Sequence, residues 1–139
     1  MISIRQSCIL TTLLIAGSAA AEIQWQPIGP GAGSFLMAAA IQPDNADVMY
    51  VGGDIEGLFK TTDGGLNWTS AGPGLGDSPA GAYGVQEIVI DPLNFQRLYA
   101  ATWSGLYRSE DGGLTWHYLF PELDPDDDEI PPVSYVAVD

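Results

Sequence analysis

A repeat of about 48 residues constrains the fold of this chain more than any other feature. SEDGGLTW, residues 109–116, repeats TTDGGLNW, residues 61–68. The likeness extends upstream, where AAIQPDNADVMYVGGDIEGLFK corresponds to IVIDPLNFQRLYAATWSGLYR and Tyr50 matches Tyr99. Self-similarity at a fixed period of this size is typical of a repeat architecture.

Each period contains four short strand patterns bounded by turn residues. They are MAAAI, VMYVGG, GLFKT and LNWTS in the first period, and VQEIVI, RLYAAT, GLYRS and LTWHYL in the second. No window of ten residues or more has a helical period. Four strands in about 48 residues are typical of one propeller blade. The sequence therefore predicts an all-β fold of β-propeller blades, with blade 1 at about 35–70 and blade 2 at about 84–119.

The final residues resemble the start of a third blade. VSYVAVD, at 133–139, is similar to VQEIVID in the second period. Two blades and one strand would leave apolar faces open to water, because repeat folds need about three or more units for stability. We therefore expect an incomplete propeller, completed either by a longer chain of which this is the N-terminal part or by self-association.

The repeated D-G-G turn is explained by folding. An Asp before glycine accepts hydrogen bonds from its own turn, the glycines supply positive φ, and the Trp covers the turn with an apolar ring. A structural role for Asp63 and Asp111 is favoured over a catalytic one.

The first 21 residues have the pattern of a signal peptide. Arg5 is followed by the apolar run CILTTLLIA and by SAAAE, which predicts cleavage after Ala21 and a secreted or periplasmic product. Removing 21 of 139 residues leaves 118. These lack cysteine, and no other stretch is apolar enough to predict a membrane span.

The mature chain is strongly acidic. Its 18 acids face three bases, Lys60, Arg97 and Arg108, for a net charge of −15 after Arg5 is lost from the total of −14. This balance disfavours nucleic acid and anionic membranes as partners. It leaves a protein or a carbohydrate as the expected partner.

The turn resembles the Asp-box, S-x-D-x-G-x-T-W. That repeat occurs in sialidases, sortilin-like receptors, photosystem II assembly factors and xyloglucan-active glycoside hydrolases built from paired propellers. The resemblance covers residues 25–139 and implies a propeller fold with the boxes as structural turns. The matching residues are Thr61, Asp63, Gly65, Asn67 and Trp68 in the first box and Ser109, Asp111, Gly113, Thr115 and Trp116 in the second.

GGDIEGLFK, residues 52–60, resembles the T-D-[IV]-G-G-[AL]-[YF]-R segment of the xyloglucan-active hydrolases. The resemblance implies that Asp54 is one of two catalytic carboxylates, the other lying beyond residue 139. Glu56 replaces a glycine of that pattern and is a candidate binding residue. Because glycoside hydrolysis usually needs two carboxylates, catalysis by this chain alone is not expected. A loop-stabilising or solvated acid is the favoured interpretation of Asp54, ahead of the catalytic one.

Two further features are candidates for binding. Trp103 takes the place of the acidic loop in the second period and could stack on a sugar. Asp124, Asp126 and Asp128 have alternate spacing, but Glu129 stands where a calcium loop needs glycine. We therefore expect an acidic connector with no metal, and no motif predicts a cofactor.

Three functions fit these observations. The first is an exported binding or assembly module for a protein or glycan. The second is the N-terminal part of a secreted glycoside hydrolase acting on polysaccharide, with Asp54 as one carboxylate. The third is an inactive fragment.

Overall fold

The computed structural model describes residues 27–31, 33, 35–76, 84–120 and 133–138. These residues form two four-stranded antiparallel sheets, in which each strand pairs with the next along the chain. The described part of the chain contains no helix long and apolar enough to cross a membrane. The first sheet consists of β1 Leu36–Gln42, β2 Asn45–Gly53, β3 Leu58–Thr61 and β4 Thr69–Ser70. The second consists of β5 Val85–Ile90, β6 Leu98–Thr102, β7 Gly105–Ser109 and β8 His117–Phe120.

The all-β fold of two four-stranded blades is thus confirmed, while three details differ from or extend the sequence prediction. Both fourth strands begin after the tryptophan, because the residues before Thr69 and His117 still belong to the turn. Residues 133–138 are in no strand ladder. They contact the second sheet, where the Val133 N–H donates to the Thr102 carbonyl at 3.0 Å.

The two sheets pack face to face around one apolar core. Residues directly opposite in an antiparallel ladder share a face, so the register assigns each side chain to a face. Alternate residues of the first sheet, including Tyr50 and Leu58, are buried against the second sheet. The second sheet contributes its own alternate set of buried residues, which are Ile88, Ile90, Leu98, Ala100 and Tyr107.

The second D-G-G turn is the polar joint between the sheets. The Gly112 carbonyl accepts hydrogen bonds from the Tyr50 hydroxyl at 3.0 Å and from the Lys60 ammonium at 2.9 Å. The Trp116 indole N–H donates to the Ala71 carbonyl at 2.7 Å. Burial raises the pKa of Tyr50 to about 12, and the protonated hydroxyl is the donor in this bond. Three side-chain bonds to two backbone carbonyls therefore join the sheets beside the apolar core.

Within each turn, the aspartate is the hub of the hydrogen bonds. Asp111 Oδ1 accepts from the Thr115 N–H at 2.9 Å, and its Oδ2 accepts from the Thr115 hydroxyl at 2.6 Å. In the first turn, Asp63 accepts the corresponding bonds from the Asn67 N–H and side-chain amide. The two glycines that follow each aspartate have φ between 69° and 90°, a region that disfavours other residues.

These bonds hold both carboxylates in the charged form. The side-chain bond from Thr115, followed by the bond from its backbone, lowers the pKa of Asp111 to about 2. The side-chain bond from Asn67 has the leading effect on Asp63, whose pKa also falls to about 2. Hydrogen bonds to the ionised form are the physical cause in both turns.

Trp116→Phe should destabilise the protein by about 1–3 kcal/mol, because the buried Ala71 carbonyl loses its partner. Trp68→Phe is the matched control: its indole bonds the Gly65 carbonyl of its own half-exposed turn, where water can substitute. Urea unfolding of both variants measures the difference. Equal losses for the two variants would contradict the inter-sheet role of Trp116.

Asp111→Asn should destabilise the protein at neutral pH, with a loss that shrinks in acid. The folded pKa lies below the ordinary value of 3.8, so the carboxylate contributes fully above about pH 4 and its contribution is lost as pH falls toward 2. Asp63→Asn should respond in the same way. Urea unfolding midpoints of the wild type and variants at about pH 7, 4 and 2.5 test this. A difference in midpoint between wild type and variants that does not change with pH would show that the carboxylate charge does not stabilise the turn.

Candidate functional site

The strands of each antiparallel sheet end on two opposite sides, and the turns on these two sides differ in character. The turn between β2 and β3 lies at one edge, with the start of β1, and the D-G-G turn lies at the other. We call these the upper edge and the lower edge, and the second sheet is arranged likewise. A Cβ added at Gly52 would fall 2.6 Å from Val85 Cγ1, so the two upper edges adjoin closely. Loops on such a rigid edge are where binding residues concentrate.

Asp54 begins the upper-edge turn of the first sheet and anchors the segment before β1. Its Oδ1 accepts from the Phe35 N–H at 3.1 Å, and its own N–H donates to the Phe35 carbonyl at 3.1 Å. Asp54 is half-buried, while Phe35 is exposed. The observed contacts therefore give Asp54 a loop-holding role, and its catalytic role stays a prediction.

Glu56 extends the same arrangement by one more bond. Its Oε1 accepts from the Gly33 N–H at 3.2 Å, although the side chain is exposed. The two acids of the loop thus accept hydrogen bonds from one neighbouring segment at two points, Gly33 and Phe35. A ligand at this edge would contact the backbone of this bonded segment as well as the two carboxylates.

Trp103 stands at the equivalent point of the second sheet. The backbone N–H of Trp103 donates to the Gly84 carbonyl at 3.2 Å, just as the backbone N–H of Asp54 donates to the Phe35 carbonyl. A Cβ added at Gly84 would lie only 2.2 Å from the Trp103 ring, so one side of the indole rests on that glycine. The side chain is 45% exposed. A supported, partly exposed indole is suited to stacking on an apolar sugar face.

A cleft of about 170 Å³ lies beside the acidic turn. Ile55, Glu56, Ser70 and Leu75 contribute to its lining, which is partly apolar and partly polar. The sequence pattern did not predict this cleft, because Ser70 reaches the turn only through the pairing of β3 with β4. The one signal in the sequence was an isoleucine in an otherwise polar turn, and Ile55 is 66% exposed.

The other candidates lie away from this edge or outside the described residues. The D-G-G turn residues lie at the lower edge and make the structural bonds described above. Asp124, Asp126 and Asp128 fall outside the described ranges. In the ranges that the structure describes, no cluster of His, Cys, Asp and Glu could hold a metal ion.

Comparison with solved structures relates this fold to one class of enzyme. A GH74 enzyme from Niastella koreensis matches 60% of the chain at 31% identity with a TM-score of 0.51. A GH74 xyloglucanase from Xanthomonas campestris matches 61% at 22% identity with a TM-score of 0.50. An ancestral GH74 enzyme matches 68% at 24% identity with a TM-score of 0.52. The last two show likeness of fold alone.

The chain spans only a small part of these enzymes, between 13% and 15% of their length. No protein-family model and no curated protein matches the sequence. The chain is therefore similar in structure to a portion of GH74 propeller enzymes.

Gly84→Ala should displace the Trp103 indole and destabilise the protein by about 1–3 kcal/mol through overpacking, beyond the cost of its positive φ. Gly31→Ala is the matched control, because Gly31 has the same φ of 73° and nothing within 4 Å of an added Cβ. Urea unfolding and tryptophan emission measure both effects. Equal losses with unchanged emission would show that Trp103 does not rest on Gly84.

Proposed function

We propose that this chain is the polysaccharide-binding part of a glycoside hydrolase-like propeller, with the adjoining upper edges as its contact surface. The observation that carries the proposal is the placement of Trp103 and Asp54 at equivalent points of neighbouring sheets. Their backbone N–H groups make matching bonds to the Gly84 and Phe35 carbonyls. The likeness to the Niastella koreensis GH74 enzyme supports the carbohydrate assignment.

The chemistry of the edge fits a neutral sugar chain. An indole offers an apolar plane for the sugar ring, and nearby carboxylates accept hydrogen bonds from its hydroxyls. Trp103 supplies the apolar plane, and Asp54 and Glu56 supply the carboxylate acceptors. The net charge of −15 expected for the exported chain repels anionic ligands, whereas a neutral polysaccharide meets no electrostatic repulsion.

Hydrolysis needs more than this edge supplies. Glycosidases use two carboxylates about 5–10 Å apart on either side of the scissile bond. Glu56, the neighbour of Asp54 in the turn, accepts a bond from the Gly33 backbone. We propose Asp54 as one of the two carboxylates in a longer protein that provides the other, while this chain contributes binding. Export, expected from residues 1–21, belongs to the same proposal.

Calorimetric titration with a xyloglucan oligosaccharide tests the binding surface, using protein from the exported fraction that should begin at Glu22. Trp103→Ala should weaken binding at least about tenfold, because burial of a large apolar side chain against the ligand contributes about 1.5–3 kcal/mol. Asp54→Asn should weaken it less, since the amide retains one acceptor oxygen. Trp68→Phe, which changes a tryptophan at the lower edge, is the matched control and should bind as the wild type does.

Equal binding by Trp103→Ala and the wild type would overturn the assigned surface. Absence of binding by the wild type to xyloglucan, mixed-linkage β-glucan and cellulose oligosaccharides would overturn the carbohydrate function. The two functions that would then remain are a module that binds a protein and an inactive fragment. The chain alone should release no reducing sugar in either case.

A further inference from the structure

The segment before β1 repeats the part of the chain that joins the two sheets. QWQPIGPGAG, residues 24–33, matches NWTSAGPGLG, residues 67–76, and the two stretches share a tryptophan and the run G-P-G. Residues 67–76 include the fourth strand of the first sheet and lead toward the second sheet. The match therefore indicates that residues 24–33 are the fourth strand and the linker of a further sheet.

The two matching segments have the same place relative to a box. Ala71 lies on Gly113 of the second box, where an added Cβ would be 3.4 Å from the Ala71 Cβ. Ile28, which matches Ala71, lies on Gly65 of the first box, where the corresponding distance is 2.9 Å. Three residues after each contact, a glycine has positive φ, with 73° at Gly31 and 87° at Gly74.

The segments differ in what lies on their other side. The Ala71 N–H donates to the Leu58 carbonyl of the third strand at 2.8 Å, and Ala71 is 3% exposed. Ile28 is 53% exposed, and its N–H has no acceptor among the residues that the structure describes. The segment at Ile28 thus has the position of a fourth strand beside a box, without a third strand to pair with.

One bond of the first box departs from this equivalence. The Trp116 indole donates to the Ala71 carbonyl, while Trp68 donates to a carbonyl of its own turn. The segment is held instead where it enters β1, because the Gly33 N–H donates to Glu56 Oε1 at 3.2 Å. Packing on the box and this bond therefore place the segment, and the indole does not.

The residues just before Trp25 do not supply the third strand. A box has Asp five residues and Gly three residues before its tryptophan, as in residues 111–116. Ala20 and Glu22 stand at those two places. The hairpin that joins a third strand to a fourth is therefore absent at this point of the sequence, and the inner strands must come from elsewhere.

We propose that residues 25–28 are the outer strand of a further blade, whose three inner strands belong to a later part of a longer chain. This blade packs on the first sheet as the first sheet packs on the second. Joining two distant parts of the chain in one sheet leaves no open strand edge. The GH74 enzymes that resemble this chain are long enough for further blades, since the chain spans only 13–15% of them. The inference rests on the longer protein of the proposed function, but not on its binding of sugar.

The coding sequence beyond residue 139 gives the first test. One later period should contain three strand patterns and the S/T-x-D-x-G part of a box, and it should lack the tryptophan and the fourth strand. A reading frame that closes at residue 139 would overturn the proposal. A frame in which every later box has its own tryptophan strand would overturn it as well.

Disulfide trapping in the longer protein, with Cys8→Ser, tests the strand pairing itself. In the first sheet Ser70 lies opposite Phe59, and Pro27 matches Ser70. Opposite Cα atoms in an antiparallel ladder are about 4.5–5.5 Å apart, within the range of about 4.4–6.8 Å for a disulfide. Pro27→Cys should therefore cross-link to a cysteine placed at the later position that matches Phe59. The product is a faster band in non-reducing electrophoresis.

Leu93→Cys with the same later cysteine is the matched control, because Leu93 is 90% exposed in a turn far from the segment in sequence, and it should stay reduced. A folded longer protein whose Pro27→Cys pair stays reduced overturns the proposal, as does equal cross-linking of the control. Xyloglucan binding by the same protein is a separate readout. Binding without the cross-link contradicts this inference alone, and the cross-link without binding contradicts the sugar-binding function alone.

Ile28→Pro provides a check that needs no new cysteine. Proline removes the N–H that would pair with the third strand, whereas Ile28→Ala trims the side chain and keeps that N–H. In the longer protein, Ile28→Pro should therefore have a lower urea midpoint than Ile28→Ala. In the chain of 139 residues the two variants should have the same midpoint. Equal midpoints in the longer protein would contradict the pairing.

Discussion

The carbonyl of Gly112 is the point on which the arrangement of the two sheets depends. It lies in a turn of the second sheet, yet its donors, Tyr50 and Lys60, belong to the first. Burial disfavours an unpaired carbonyl, and it equally disfavours the unpaired donors. The indole bond from Trp116 to Ala71 adds a second link beside it. The turn thus fixes the distance and orientation at which the apolar surfaces meet.

In the proposed function, folding and binding depend on opposite edges of the two sheets. The lower edge carries the hydrogen-bonded turns, whose aspartates accept bonds from backbone and side-chain donors of their own turn. The upper edge carries short turns whose residues differ between the two sheets, with Asp54 at one place and Trp103 at its equivalent. A repeat that keeps one edge constant can vary the other without disturbing the core, and function can change on an unchanged fold.

Much of the fold followed from the sequence, because strand alternation and turn chemistry are local. The period predicted two four-stranded blades, and β5 and β7 begin and end where their patterns do. The fourth strands begin later than predicted, since Leu66 to Trp68 and Leu114 to Trp116 remain in the turns. A loop-stabilising role for Asp54 was expected, but its partner Phe35 and the bond from Gly33 to Glu56 were not predicted. The residues in these two bonds are separated by 19 and 23 positions in the sequence. A periodic pattern does not predict a contact over such a separation.

The site was predictable to the same extent. The sequence identified Asp54, Glu56 and Trp103 as residue types suited to a sugar, and the matching positions of two of them followed from the repeat. The docking of the second turn on the first sheet was not foreseen, because Gly112 contributes a backbone carbonyl that has no sequence signature. Contacts made by backbone atoms between distant elements require the three-dimensional structure.

In the proposed function, the upper edge, and not the lower one, contacts a polysaccharide. The most direct measurement is a nuclear magnetic resonance titration of the ¹⁵N-labelled chain with a xyloglucan oligosaccharide. The account predicts shifts of the Trp103 indole N–H and of amides in residues 33, 35, 54–57 and 103–105, with the turns at 61–68 and 109–116 unchanged. Shifts concentrated in those two turns, or no shifts at millimolar sugar, would contradict it.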